Sequence, residues 1–338
     1  MKDLAREPAA TPRHPEPNAP APLRTHAHAG WTRHVFNTGA IFTATYKGVS
    51  KLPRWLSYGL GDAGTWIAAR VLTGTTNGLV DNFRAVFPGK SDADLRQLAA
   101  LTYHTYARDV VDFIRALSLD PDDARALFTT DMAVHDGGDG AGVRPKIERL
   151  LAMGKGVILV SGHFGNWEIG SVMLRSYSLP LTVIAMQEQS ETINRMRLDF
   201  RERMGVDTLE VRQSIDTALA IRRRLGENRI VSMLMDRHVE RDRVAVTFFG
   251  RRAFFLRTPA LLGYLTGAPL LPCAIVRREG RPFDVIAGDP IFVPREGNRD
   301  ENVAAAAQAF ATQLEALIRE TPHCWYQFYP YWAAQQDA

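Results

Sequence analysis

The residues best suited to chemistry lie in one short stretch, residues 156–170, which reads GVILVSGHFGNWEIG. A hydrophobic run, typical of a buried strand, ends at Ser161. Gly162 and Gly165 then bracket His163, which indicates a tight turn. An imidazole held in such a turn at the end of a strand can act as a general base on a hydroxyl.

A carboxylate follows His163 at a spacing that could orient the ring. On one continuous helix His163 and Glu168 would point about 140° apart and would not meet. If His163 lies in the turn and Asn166 caps a new helix, Glu168 falls in the first helical turn and the two side chains can converge. The carboxylate would then fix the tautomer and stabilise the imidazolium formed when the other nitrogen takes a proton.

Other readings of this histidine are open from the residues alone. A histidine after a strand is more often structural than catalytic. A zinc site is disfavoured because no third ligand stands at a recognisable spacing, and we expect no metal. The chain also lacks a Gly-x-Ser-x-Gly elbow, which disfavours a serine hydrolase.

The elements around this stretch alternate between strand and helix patterns. Apolar or β-branched runs bounded by glycine, proline or charge predict these strands: Val157–Ser161, Leu181–Met186, Ile230–Asp236, Val244–Phe248 and Leu270–Val276. Helical spacing predicts these helices: Lys146–Met153, Trp167–Arg175, Ile193–Met204, Ser214–Leu225, and one carrying Val303, Ala307, Phe310, Leu314 and Leu317. The alternation predicts an α/β fold whose central mixed sheet is flanked by helices on both faces. An aromatic segment, residues 325–332, follows the last helix.

The N-terminal part has a different character. Residues 1–28 are rich in Pro, Ala, His and charge and are predicted to be disordered. Residues 29–90 are predicted to be helical and to associate with a membrane, and residues 91–338 to form one catalytic domain. The segment Leu52–Leu72 carries Trp55 and Trp66, aromatics that favour the headgroup level of a bilayer, although a core helix with one exposed face fits equally well.

A second apolar stretch, Thr258–Val276, is nearly long enough to span a membrane. Two prolines and a glycine within it predict a buried helix followed by a buried strand instead. The two cysteines and the absence of a signal peptide indicate a reducing compartment and no disulfides. The formal net charge is only +4, but arginines cluster in short runs that suit phosphate groups or simply face water.

Several blocks in order resemble one known family. Residues 154–168, GKGVILVSGHFGNWE, resemble the His-x4-Asp/Glu signature of the lysophospholipid acyltransferase superfamily. More narrowly, they are similar to the bacterial branch that holds the lipid A lauroyl/myristoyl acyltransferases and the phosphatidylinositol mannoside acyltransferases. Further similar blocks are residues 82–88 with the helix after Ser91, residues 194–205 containing Arg201, Asp236, residues 248–250 and residues 266–272.

The resemblance implies an O-acyltransferase of lipid or glycolipid biosynthesis. His163 would be the base and Glu168 its partner, and Arg201 would hold the phosphate or sugar of the acceptor. The matching positions Asn166, Asp236 and Gly165 are further candidate substrate contacts. An acyl carrier protein or a coenzyme A thioester would be the co-substrate, with no other cofactor and no nucleic acid. The chain would lie on the cytoplasmic face of the inner membrane, as a peripheral or monotopic protein.

Two alternatives belong to other classes. A thioesterase or esterase could use the same His/Glu pair to activate water, and it would release free acid even when an acceptor is present. A non-catalytic basic protein that binds membranes or nucleic acid would function without His163 and bind in a salt-sensitive way.

Overall fold

The structure is a computed structural model. It describes residues 51–117, 143–188, 190–211, 215–239, 242–278 and 281–335, together with single positions between 45 and 49 and between 120 and 123. The predicted disordered tail, residues 1–28, lies outside the described residues.

A six-stranded mixed sheet forms the centre of the molecule. Its strands follow the order β3-β2-β4-β1-β7-β8, with all neighbours parallel except the antiparallel pair of β7 and β8. A separate antiparallel hairpin pairs β5 with β6. The strands are β1 (Val157–Ser161), β2 (Leu181–Ala185), β3 (Asp207–Glu210), β4 (Ile230–Leu234), β5 (Arg243–Phe248), β6 (Arg251–Leu256), β7 (Leu270–Arg278) and β8 (Arg281–Ala287).

Helices cover both faces of the sheet, as the sequence predicts. The α-helices of the described residues are α1 (Arg54–Val71), α2 (Thr73–Val86), α3 (Asp92–Ala116), α4 (Val143–Leu151), α5 (Trp167–Ser176), α6 (Glu191–Arg203), α7 (Ile215–Gly226), α8 (Thr258–Thr266) and α9 (Arg299–Glu320). Successive side chains of β1 alternate between two cores, since Leu159 packs with α4, α5 and α6, whereas Val160 packs with α7, α8 and α9. The predicted α/β class with a central mixed sheet is therefore confirmed.

The sequence analysis misses three strands and misplaces none of the helices. The stretch Thr258–Val276 forms α8 followed by β7, as predicted. The missed strands β3, β6 and β8 are short or begin with charged residues, and each lies at the edge of its sheet. Edge strands lack the continuous apolar pattern of central ones, because one side and often one face remain open to water.

The helices before the sheet pack mainly on one another. A capping box joins Ser91 and Asp94 at the start of α3, the helix expected after Ser91. Helix α1 lies against α3 through the Arg54 guanidinium, which binds the buried Asp112 carboxylate with Nη2 3.0 Å from Oδ2. In the described part of the chain no helix is both long and apolar enough to cross a membrane.

Candidate active site

In the turn after β1, one position has a backbone conformation and a close contact that only glycine can accommodate. Gly165 has φ +64°, and a Cβ there would lie 1.8 Å from the carbonyl oxygen of Ile275 on β7. The next residue, Asn166, donates its backbone N–H to that same carbonyl at 2.9 Å. Its side-chain oxygen accepts the N–H of Ile169 and caps α5, as the sequence predicts. The turn is therefore fixed against the edge of β7.

His163 is oriented by Asp236, which follows the end of β4. The Nδ1 of His163 lies 2.7 Å from Oδ1 of Asp236, and the backbone N–H of His163 donates to Oδ2 at 2.9 Å. Burial favours the neutral acid, but the facing imidazole and these hydrogen bonds outweigh it, so the pKa of Asp236 lies below its ordinary value. With Nδ1 bound to a carboxylate, Nε2 is the nitrogen that can take a proton.

Glu168 has different neighbours. Its carboxylate accepts hydrogen bonds from Nη2 of Arg201 at 2.8 and 2.9 Å, and Nη1 of Arg197 lies 3.4 Å away. Burial acts to raise the pKa of Glu168, but the two guanidinium groups outweigh it and the net shift is downward. The sequence analysis expected Glu168 on the imidazole; the carboxylate that the structure places on Nδ1 is Asp236.

This difference has a topological cause. Strands β1 and β4 are parallel neighbours, with Ser161 opposite Leu234. The residues that follow the two strands therefore meet at the same edge of the sheet, although they are far apart in sequence. A motif confined to residues 163–168 cannot reveal a partner from another strand.

The segment after α9 closes the back of the turn. The Tyr326 N–H donates to the carbonyl oxygen of His163 at 2.8 Å, and the Gly165 N–H donates to that of Cys324 at 2.8 Å. The Tyr326 hydroxyl donates to the buried Asp109 carboxylate of α3 at 2.6 Å. The sequence shows only the aromatic character of this segment, which predicts burial and gives no sign of these contacts.

A cavity of about 680 Å³ opens beside His163 at the carboxyl edge of the sheet. Glu168, Arg197 and Arg201 line it near the imidazole. Apolar side chains line the part between α5, α6 and the sheet: Leu159, Leu174, Leu181, Val183, Ile193 and Ile275. A charged end joined to an apolar arm suits a ligand that has a polar head and a hydrocarbon chain.

The predicted site residues fall into two groups. His163, Glu168 and Arg201 line the cavity. Gly165, Asn166 and Asp236 lie behind its wall and fix the turn, so their contacts to substrate stay predictions. The sequence analysis did not single out Arg197, although it stands four residues before Arg201 and therefore on the same helical face.

A metal site has no support in the described residues, which contain no group of three or more histidine, cysteine, aspartate or glutamate side chains placed to hold an ion.

The chain is similar in sequence to known bacterial acyltransferases. The family model for bacterial lipid A biosynthesis acyltransferases matches residues 32–334. A phosphatidylinositol mannoside acyltransferase of Mycobacterium tuberculosis strain H37Rv is 30% identical over 191 residues, which cover 56% of this chain and 58% of that protein. That alignment thus spans less than two thirds of the relative's length. The protein of the same name from Mycolicibacterium smegmatis is 27% identical over 300 residues, covering 87% of this chain and 90% of the relative.

Proposed function

Because the chain belongs to the bacterial lipid A biosynthesis acyltransferase family, we propose that it moves a fatty acyl chain from an acyl thioester to a hydroxyl of a membrane lipid or glycolipid. The single observation that carries the mechanism is the imidazole of His163, held on Nδ1 by Asp236 at the wall of a half-apolar cavity. The curated relatives, whose names specify phosphatidylinositol mannoside as the molecule acylated, favour a glycolipid as the acceptor.

The proposed reaction needs no covalent enzyme intermediate. The Nδ1–H of His163 donates to Asp236, and Nε2 takes the proton of the acceptor hydroxyl. The alkoxide oxygen attacks the carbonyl carbon of the thioester, a C–O bond forms, and the C–S bond breaks. The leaving thiolate takes the proton from the imidazolium, so that the thiol of an acyl carrier protein or coenzyme A is released and His163 is neutral again.

Glu168 acts in this proposal by fixing two arginines of the cavity wall. It pairs with Arg201, whose side chain is only 7% exposed, and it contacts Arg197, whose side chain is 27% exposed. Glu188 also pairs with Arg197 at 2.5 Å, so the two arginines and two glutamates balance in charge and the wall offers hydrogen-bond donors. The acceptor's phosphate or sugar would meet Arg197, the more accessible of the two guanidinium groups. Arginine suits this task because its planar group can donate several hydrogen bonds at once.

The acyl chain fits the apolar arm of the cavity. Leu159 lies two residues before Ser161, the carboxyl end of β1, which is about 7 Å along the strand. Leu181, at the start of β2, lies two residues deeper, since it pairs with Ile230 while Leu159 pairs with Ser232. The apolar lining therefore extends about 13 Å from the carboxyl edge of the sheet, which supports a site for a hydrocarbon chain.

Helix α1 supports a place on the membrane surface. Trp55, Leu60, Trp66, Ile67 and Val71 are exposed large apolar side chains on this one helix. The guanidinium of Arg70 lies 3.7 Å over the ring of Trp66, an arrangement that suits a headgroup region. We place the protein on the cytoplasmic face of the inner membrane, with α1 lying in the interface.

The proposal is tested by replacing His163. His163→Gln is expected to lower acyl transfer to extracted lipids by about 10²–10⁴-fold, because the base is lost while the cavity stays. The assay supplies a radiolabelled acyl chain as the carrier-protein thioester and, in parallel, as the coenzyme A thioester, and follows label into lipid.

A second histidine gives a matched control. His104 on α3 also has its Nδ1 on an aspartate, at 2.8 Å from Asp62, but it does not line the cavity. His104→Gln should keep the wild-type rate. Undiminished transfer by His163→Gln would contradict the mechanism, and label released as free acid despite saturating acceptor would indicate the hydrolase alternative.

A further inference from the structure

One side chain of the C-terminal segment contacts the Asp236 carboxylate directly. Gln327 is fully buried, and its Nε2 donates to Oδ2 of Asp236 at 2.7 Å. Its Oε1 accepts a hydrogen bond from Nε of Arg237 at 3.0 Å. The arginine contact fixes which end of the amide faces Asp236, because only the NH₂ end can donate to a carboxylate.

The two oxygens of Asp236 are thereby given separate partners. Oδ1 faces Nδ1 of His163, whereas Oδ2 accepts from the backbone N–H of His163 and from Gln327. The carboxylate is completely buried, so no water can replace a lost donor without opening the structure. Its orientation and its charge therefore depend on these neighbours.

The backbone around Gln327 is held independently of its side chain. Asn82 of α2 donates its Nδ2 to the carbonyl oxygens of Gln327 and Tyr329 at 2.9 and 2.8 Å, and its Oδ1 accepts the Tyr331 N–H at 2.8 Å. The Tyr331 hydroxyl in turn donates to the carbonyl oxygen of Asp236 at 2.6 Å. A substitution at Gln327 that preserves size should therefore leave the segment in place.

We propose that Gln327 is a positioning residue that holds Asp236 with Oδ1 toward His163 and sets how strongly the pair binds a proton. This role rests on the proposed function, in which neutral His163 is the base. Gln327 does not touch the reacting atoms; it acts through Asp236.

Electrostatics predicts the direction in which the pKa of His163 changes when the Gln327 amide is removed. A donor on Oδ2 stabilises the carboxylate anion and weakens it as an acceptor for the imidazolium. Without that donor, Asp236 holds the protonated ring more tightly, and the pKa of His163 rises. Since the base must be neutral to act, the acid limb of the pH–rate profile moves to higher pH.

Other charged and titratable groups face the pair from the surrounding elements. They are Tyr106 of α3, Glu168 of α5, Arg197 and Arg201 of α6, Arg237 and His238 after β4, and Tyr329 and Tyr331 of the C-terminal segment. Arg237 is the group among these that contacts the Gln327 side chain, and its Nη2 keeps a second hydrogen bond, to the carbonyl oxygen of Tyr326 at 3.2 Å, when the Gln327 amide is removed.

The test is an NMR titration of the His163 ring in the full chain, with its ¹⁵N signals assigned by their loss in His163→Gln. Gln327→Met keeps the length of the side chain and removes the amide. The pKa of His163 is expected to rise by about one unit, the size expected when a charge-assisted hydrogen bond is lost. Turnover at pH 6 should fall at least about 5-fold, with the KM for the thioester within twofold of wild type.

Gln308 of α9 provides the matched control. Its side chain accepts the Thr247 N–H at 2.7 Å and donates to the Thr247 carbonyl oxygen at 2.9 Å, on β5 and away from the Asp236 carboxylate contacts. Gln308→Met should leave the His163 titration unchanged. An equal shift in both variants, or a wild-type titration in Gln327→Met, overturns the proposal.

A second substitution protects the test against misfolding. Gln327→Leu removes the amide in a shorter apolar side chain, so it should move the pKa of His163 in the same direction and by a similar amount. The absence of a shift in this variant also overturns the proposal. The titration does not depend on turnover, so a failure of the acyltransferase assignment would be recognised separately by full activity in His163→Gln.

Discussion

The buried carboxylates of Asp236 and Glu168 both lie near His163, but they have different roles because their hydrogen-bond partners differ. Asp236 faces the ring and neutral donors, whereas Glu168 faces two guanidinium groups. Both have lowered pKa values, so both are anions near neutral pH. Of the two, Asp236 is the one placed to stabilise the imidazolium of the proposed proton transfer, and Glu168 joins α5 to α6.

Substitutions at these two carboxylates should therefore have different consequences. Asp236→Asn is expected to lower kcat by about 10²–10⁴-fold, because an amide can donate to Nδ1 and favour the wrong tautomer. Glu168→Gln is expected to lower the free energy of unfolding by about 3–5 kcal/mol, because it leaves Arg201 buried without a counter-charge. Steady-state kinetics and urea denaturation measure the two effects.

The double variant Glu168→Gln/Arg201→Met provides the control for stability, since it removes both charges together. It should recover most of the stability that Glu168→Gln loses. The assignment of roles would be wrong if Asp236→Asn kept the wild-type kcat.

Helix α1 has a polar face that packs on α3 and exposed apolar side chains on the rest of its surface. Its polar side chains turn toward α3, where Arg54 and Tyr58 bind Asp112 and Asp62 binds Arg108. Leu60, Ile67 and Val71 are exposed on the opposite face, and Trp55 and Trp66 are exposed beside the polar side chains. The ion pairs fix α1 on α3, so the helix can keep apolar side chains exposed on its remaining surface. The proposed contact with the bilayer would use this exposed apolar surface.

Replacing the exposed tryptophans should weaken membrane binding without unfolding the protein. For Trp55→Ser/Trp66→Ser we expect at least about a 10-fold loss in partitioning onto vesicles, because each side chain would bury apolar area in the interface. Flotation with phosphatidylglycerol and phosphatidylethanolamine vesicles measures the binding, and thermal unfolding should show little change in Tm.

Phe292→Ser is the control for this experiment, since Phe292 is also exposed but lies after β8, away from α1. It should bind vesicles as the wild type does. Equal loss in the two variants, or none in the tryptophan variant, would argue against α1 as the membrane-contacting element.

At the scale of the whole molecule, buried charges tie the helical region to the sheet. Arg277 of β7 binds Asp109 and Asp112 of α3, with Nη2 at 2.9 and 2.6 Å from their carboxylates. Burial raises the pKa of Asp109 to about 6, even though the facing Arg277 acts to lower it. The same Asp109 accepts from Tyr326, so this cluster connects α1, α3, β7 and the segment behind His163.

The lowered pKa values predict how stability depends on pH. A carboxylate whose pKa is lower in the folded state contributes stability above its unfolded pKa and loses it as pH falls. For Glu168 and Asp236 the unfolded values are 4.5 and 3.8, so their contribution is present at neutral pH and declines below about pH 4.5. Asp109 works in the opposite sense between about pH 6 and 4, because its folded pKa is raised.

Unfolding by urea between pH 7 and 3 tests this expectation. The wild type should lose stability steeply below about pH 4.5. The double variant Glu168→Gln/Arg201→Met should decline less over the same interval, because it no longer has the Glu168 carboxylate to protonate. If the free energy of unfolding fell equally with pH in the two proteins, the lowered pKa of Glu168 would be contradicted.

The sequence alone determined the fold class, the family and the position of the proposed base, His163. Apolar runs predicted the central strands, and helical spacing of apolar residues predicted the helices that cover them. Both patterns are local and extend over several residues, so they can be recognised without the fold. The resemblance drawn from ordered blocks is confirmed by the family model. His163 could be located because the strand, the glycine turn and the cap that position it are all adjacent in the chain.

Only the tertiary structure decided which groups meet at the base. Asp236 comes from a neighbouring parallel strand, and Tyr326 and Gln327 come from a segment about 160 residues after His163. Glu168, though closest in sequence, pairs with two arginines of α6. Spacing along the chain fixes local geometry, but a buried charge takes the partner that folding brings nearest, and that partner is set by the order of strands in the sheet.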